Sequence, residues 1–282
     1  MYNKGRKAIF FDIDGTLLIP GEGIHESVRE ALRKVRNHGH QVFIATGRAW
    51  CCLPEELQDV ELDGLIASAG SDIWFHGQNV YRQSLPEKLI RDTCQILKEM
   101  DAVYVLEGFD RIYVSGKAQQ ILLGEEVLPD DNPELVRWKN YFRKKTNLYP
   151  IEEWSPEVER IPKITFMLFH EEQVEQIEEI MSENFHVVFF PSAYSGFWNG
   201  ELISLKADKG TAIQKAAELL HMEIADTIAF GDSMNDYEMI LQAGCGVVMA
   251  NGDAYLKTKA DRICESVQED GVIRELERMH LI

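Results

Sequence analysis

Asp12 and Asp14 stand two positions apart, after the apolar run Ala8-Ile9-Phe10-Phe11 and before Gly15-Thr16-Leu17. In extended backbone their side chains leave the chain in roughly the same direction. Two such charges ~5 Å apart, at an effective dielectric of ~20, repel by about 3 kcal/mol. That is enough to leave one carboxyl protonated unless a cation intervenes. A hard cation such as Mg2+ would hold one as the anion while the other kept its proton. A carboxylate nucleophile beside a carboxylic acid/base suits phosphoryl transfer. The plainer alternative is a polar turn that caps a following helix.

The elements must bring further groups to these carboxylates. The run before Asp12 is short, unbroken and rich in β-formers, as in a parallel strand buried on both faces. Gly15 then lets the chain turn away. The spacing predicts a helix from Ile24 to His38 with Gly39 as its C-cap. A second strand, Val42-Phe43-Ile44-Ala45, ends at Thr46-Gly47-Arg48, and a third is expected at 64–68. Later, Asp208 caps a helix that opens with Lys209, and the strand Thr227-Ile228-Ala229-Phe230 ends at Gly231-Asp232-Ser233-Met234-Asn235-Asp236. Strand and helix in alternation imply right-handed crossovers and a parallel sheet, with these strand ends at one edge. Together the groups supply a nucleophile, an acid, a metal site, a hydroxyl and a cation.

The chain has 282 residues, 45% of them hydrophobic, which is ample for two domains or one elaborated one. Lys and Arg total 29 against 47 Asp and Glu, a formal charge of -18. So acidic a surface repels nucleic acid and anionic lipid, and any phosphate site must be locally positive. Five scattered cysteines without metal-type spacing read as reduced thiols of a cytoplasmic protein. No apolar stretch is long enough for a membrane span or has the form of a signal region. After Pro86 the rhythm changes to an α+β block. The expected architecture is an α/β, Rossmann-like parallel-sheet core over 1–84 and 197–282, with an inserted α+β domain over 85–196. Within that division the strand at Glu201 to Leu205 belongs to the returning core. The insert's aromatics (Trp138, Tyr141, Trp154, Phe189 and Phe190) read as core.

The motifs Asp12-Ile-Asp14-Gly-Thr16, Thr46-Gly-Arg, Lys209-Gly and Gly231-Asp232-Ser-Met-Asn235-Asp236 resemble the four motifs of the haloacid dehalogenase superfamily. The large insert between the second and third is similar to the type IIB cap of its Cof-type branch. The resemblance implies that Asp12 attacks phosphorus, while Asp14 protonates the leaving oxygen and then activates water. It implies that Mg2+ is bound by Asp12, the main-chain carbonyl of Asp14 and Asp232, with Asn235 or Asp236 completing or orienting the shell. Thr46 and Lys209 would hold phosphate oxygens. Thr16 would brace the loop, and Gly47 and Asn251 fall within matching motifs. Arg48 either forms a salt bridge or contacts phosphate. Ion-pumping relatives carry Thr where Asp14 stands, so Asp14 implies fast turnover and a phosphatase.

Three positions depart from the pattern. Ala69-Gly70-Ser71 stands where Asn-Gly-Ala is frequent, Ala250 where Gly is usual before Asn251, and Lys206 where Gly often precedes the motif lysine. They predict altered specificity with the chemistry retained. The expected activity is Mg2+-dependent hydrolysis of small phosphometabolites, foremost sugar phosphates, with the insert choosing among them. A phosphomutase would need several arginines facing the site, and those of the insert are dispersed. A non-catalytic binder of phosphometabolites would not need both Asp12 and Asp14. No protein partner is implied.

Overall fold

A computed structural model describes residues 5–19, 21–57, 59–124, 133–190 and 198–282. Its strands, in chain order, are β1 (Ala8–Phe11), β2 (Gln41–Ala45), β3 (Gly64–Ala67), β4 (Asp72–Phe75) and β5 (Gln78–Arg82). There follow β6 (Val103–Glu107), β7 (Ile112–Val114), β8 (Leu148–Pro150), β9 (Lys163–Leu168), β10 (Phe185–Phe190) and β11 (Trp198–Ser204). The last are β12 (Thr227–Gly231), β13 (Cys245–Met249) and β14 (Arg262–Cys264).

The first sheet runs β14-β13-β12-β1-β2-β3-β4-β5, and its pairs are parallel from β14 through β3. Strands β4 and β5 form a hairpin that adds antiparallel to one edge. Strand β1 is central and fully buried, as its unbroken apolar run requires. Ile9 and Phe11 face the helices Glu26–Asn37 and Gly271–Arg278, and Ala8 and Phe10 face Lys209–Leu219 and Tyr237–Gln242. Each large side chain so buried contributes about 1.5–3 kcal/mol. Phe11 stacks on Phe230 of β12, and Phe10 lies against Phe43 of β2. The protein is thus an α/β fold on a parallel-sheet core. From β1 the chain steps to β2 and β3 on one side, then later to β12, β13 and β14 on the other. This reversal opens a crevice between β1 and β12, where such sheets bind ligands.

The second sheet runs β10-β11-β9-β6-β7-β8. The helices Glu87–Glu99 and Glu171–Met181 cover one of its faces through Ile90, Leu97, Ile177 and Met181. Of the five aromatics expected in this core, Trp154 is buried, while Trp138, Tyr141, Phe189 and Phe190 are half-buried.

One expected boundary is corrected. Strand β11 is antiparallel to both β9 and β10 and belongs to the second sheet, not to a core resuming at 197. The two compact units are Met1–Arg48, Cys52–Arg82 and Ala207–Ile282, and Ala49–Cys51 with Gln83–Lys206. The physical reason lies in Glu201. Its place in β11 puts its carboxylate on the buried Lys163 of β9.

Lys163 also pairs with Glu107 of β6 at 3.3 Å, and Glu107 accepts from Thr165 Oγ1 at 2.6 Å. Lys163→Ala would leave two nearly buried glutamates without this cation and is expected to destabilise the fold by about 3–5 kcal/mol. Urea unfolding checks this, and an unchanged midpoint would contradict it.

Candidate active site

The crevice edge assembles the sequence-predicted residues from several elements. Asp12 follows β1 directly, and its backbone N–H donates to Phe230 O of β12 at 2.9 Å. Asp232 follows β12. Gly15, at φ +85°, holds the Asp12 loop close to it, since an added Cβ would lie 2.4 Å from Asp232 Oδ2. Thr16 Oγ1 donates to Asp232 Oδ1 at 3.2 Å. Thr16 therefore pins a carboxylate of the site as well as bracing its own loop.

Lys209 opens its helix behind the Asp208 cap, whose side chain accepts from Thr211 N. Its side chain is fully buried, and Nζ donates to Asp12 Oδ1 and Asp236 Oδ1, both at 2.6 Å. Asn235 Oδ1 lies 3.5 Å from the same nitrogen. The second oxygen of Asp236 accepts the backbone N–H groups of Asp232 and Ser233, each at 3.0 Å. Asp236 is therefore engaged in fixing Lys209 and the Asp232 loop. Asn235 Oδ1 also accepts from Ser233 Oγ at 2.7 Å.

Thr46, nearly fully buried, follows β2, and its hydroxyl accepts from Arg48 N at 3.1 Å. Gly47 joins the two and has no side chain to contribute. Arg48 takes the salt-bridge alternative. Its Nε and Nη2 each lie 2.7 Å from a different oxygen of Asp14, a bidentate fork that holds the carboxylate in one orientation. The sequence alone offered no partner for Arg48. Asn251 ties the first loop to the last part of the chain, donating to Gly15 O at 2.9 Å and accepting from Val267 N at 2.9 Å. Ala250 has no positive φ, so glycine is not required there. Lys206 is exposed.

Carboxylate oxygens of Asp12, Asp232 and Asp236 lie within 4.8 Å of one another. Burial pushes the Asp12 carboxyl well above its usual range; Lys209 opposes this, and Asp236, Asp232 and Asp14 add to it. Burial and the charge of Asp236 push Asp232 up to about 7, against Lys209 and the Thr16 hydrogen bond. Burial alone would lower the Lys209 ammonium, but Asp12 and Asp236 outweigh it and hold Lys209 cationic. Three carboxylates against one ammonium leave a net charge of about −2 when all are ionised. All the donors are hard oxygens, so the cluster of Asp12, Asp232 and Asp236 fits a small divalent cation.

The sequence matches the family model for haloacid dehalogenase-like hydrolases over residues 9–276. Among curated proteins it is 29% identical to YkrA of Bacillus subtilis (strain 168), over 98% of each chain. It is 27% identical to the 5-amino-6-(5-phospho-D-ribitylamino)uracil phosphatase YitU of the same organism, over 95% of each. Its fold is similar to that of the solved subclass IIB sugar phosphatase BT4131, with a TM-score of 0.79 and 21% identity over 98% of this chain and 100% of the other.

The raised carboxyls make an acid–cation competition measurable. Asp232 protonates near pH 7 in the folded chain, against the ordinary aspartate value of 3.8. Between these values the cation-free folded state binds more protons than the unfolded one, so stability falls as pH rises through the window. Thermal unfolding in EDTA is expected to show this fall, and Asp232→Asn to flatten it. Millimolar Mg2+ should raise the Tm at about pH 7.5 and have little effect at about pH 5, where protons occupy the ligands. A Tm indifferent to the cation at both pH values would contradict the site.

Proposed function

We propose that this chain, which belongs to the haloacid dehalogenase-like hydrolase family and is a phosphatase, hydrolyses phosphate monoesters of small metabolites with the help of Mg2+. The observation that carries this reading is the Asp12 carboxylate at the switch point of the sheet. Lys209 orients one of its oxygens, and Asp14 is two residues away.

In the proposed reaction Asp12 attacks phosphorus, the ester P–O bond breaks, and Asp14 donates its proton to the departing alkoxide. An aspartyl-phosphate on Asp12 results. Asp14, now ionised, takes a proton from water as that water attacks phosphorus, which releases inorganic phosphate and restores Asp12. Mg2+, held by Asp12, Asp232 and the Asp14 main-chain carbonyl, would supply positive charge against the phosphoryl oxygens. Thr46 and Lys209 hold those oxygens from the protein side. Arg48 keeps Asp14 oriented before substrate arrives and must yield one of its two bonds for Asp14 to carry a proton.

For substrate, sugar phosphates and related phosphorylated polyols are the leading class. YitU, whose named substrate carries a phosphorylated ribityl chain, and the sugar phosphatase BT4131 support this. The HMP-PP phosphatase of Cronobacter sakazakii, 27% identical over 86% of this chain, makes cofactor phosphates the next class. In this reading residues 83–206 choose among them. Arginines of that unit support hydrolysis over transfer between two phosphate positions. Arg91 lies over Trp154 and pairs with Glu87, Arg111 lies over Tyr149, and Arg143 donates to Gly124 O. Free cysteines, with burial raising the Cys94 and Cys264 thiols to about 12, fit a reducing cytoplasm. Among the described residues no helix is long and apolar enough to cross a membrane.

Phosphate release from a panel of sugar phosphates, nucleotides and cofactor phosphates is expected to require Mg2+ and to stop in EDTA. Asp12→Asn should abolish it, and Asp14→Asn should lower kcat by about 10²–10⁴-fold. Arg48→Lys cannot reproduce the fork and should lower kcat by roughly tenfold. Release that persisted in Asp12→Asn would refute the assignment of the nucleophile.

A further inference from the structure

We propose that the turn Ser68-Ala69-Gly70 is a positioning brace that sets the separation of Thr46 and Lys209, and so the fit of the site to a phosphoryl group. The inference rests on reading those two residues as the phosphate holders.

The turn is bonded on one side to the loop after β2. Ala69 N donates to Thr46 O at 3.0 Å, and Ser68 N donates to Arg48 O at 2.8 Å. On its other side it rests on the residue before Lys209. Gly70 has φ +100°, and an added Cβ would lie 2.2 Å from Asp208 O and 2.6 Å from Asp208 C. These are backbone atoms at the start of a helix, and the Asp208 side chain fixes them through Thr211 N at 2.7 Å. They cannot swing aside as a flexible side chain would. The next residue is Lys209, whose buried ammonium meets its two carboxylates at 2.6 Å.

The conformation of the turn is itself unusual. Ser68 and Ala69 are buried and have φ of 48° and 51°, the left-handed region that disfavours residues with a Cβ. Such a conformation persists only where surrounding contacts over-determine it, and it clusters at functional sites. Here those contacts are the two donated hydrogen bonds and the seat on Asp208. A small shift of the turn therefore moves Thr46 and the root of Lys209 relative to each other.

The test compares wild type, Gly70→Ala and Ala69→Gly in p-nitrophenyl phosphate hydrolysis, inhibition by inorganic phosphate, and urea unfolding. Displacing Asp208 by Gly70→Ala is expected to weaken phosphate inhibition at least tenfold and to lower kcat by about 10²-fold, the effect of an ångström-scale misplacement. Ala69→Gly suits the left-handed conformation and so folds, but it loosens the turn. It should weaken phosphate inhibition about threefold without lowering the unfolding midpoint. A merely structural turn would change the midpoints and leave phosphate inhibition of the folded variants as in wild type, and that result would overturn the brace. If Gly70→Ala does not fold, Ala69→Gly decides alone: inhibition equal to wild type rejects the proposal. Failure of wild type to hydrolyse the ester or to be inhibited by phosphate would instead overturn the reading of Thr46 and Lys209.

Discussion

The site depends on a buried lysine held between two carboxylates. An isolated ammonium in a protein interior would lose its proton, and isolated carboxylates there would gain one. Here Lys209 donates to Asp12 and Asp236, each at 2.6 Å, and these two carboxylates hold it cationic against its burial. The arrangement is unbalanced, because Asp232 adds a further carboxylate close by. Once ionised, these carboxylates would carry an excess of negative charge that suits a divalent cation. The same ammonium holds one oxygen of Asp12, and in the proposed reaction the other would attack phosphorus. Removing Lys209 would leave buried charges uncompensated, so the stability of the core and the chemistry of its edge share one interaction.

The rest of the first sheet serves that interaction. Asp12 and Asp232 become neighbours because β1 and β12 pair in parallel, Phe11 opposite Phe230. The connecting chain leaves in opposite directions from this pair, so the edge between them stays open for a ligand. Asp236 folds back on its own loop and accepts two backbone N–H groups, which makes the Asp232 loop rigid. Asp14 is governed separately, by Arg48. The two aspartates of the first motif thus have different electrostatic partners, a lysine for one and an arginine for the other. This separation suits the two chemical roles proposed for the pair.

Much of this was legible in the sequence. The unbroken apolar runs before Asp12, Thr46 and Asp232 announced strands buried on both faces, and the polar residues just beyond them marked the edge where the candidate site assembles. Asp208 read correctly as a helix cap. What the sequence withheld depends on contacts between distant residues. Glu201-Leu202-Ile203-Ser204 could pair in either sheet, and its ladders to β9 and β10, with the Glu201–Lys163 pair, put it in the second. Arg48 had two open roles until its fork met Asp14. Asp236 looked like a ligand or an orienting group; its carboxylate bonds Lys209 and the backbone of its own loop, contacts between distant or folded-back residues that the sequence does not display. Ser68 and Ala69 adopt left-handed backbone that their residue types do not suggest, because neighbouring loops impose it.

Mass spectrometry of enzyme quenched in acid during turnover of a phosphate ester tests the central claim most directly. A phosphate increment on Asp12 that appears with substrate, disappears as substrate is exhausted and accumulates in Asp14→Asn is the predicted result. Rapid hydrolysis with no modified Asp12 under conditions that preserve acyl phosphates, or with the increment on another residue, would contradict it.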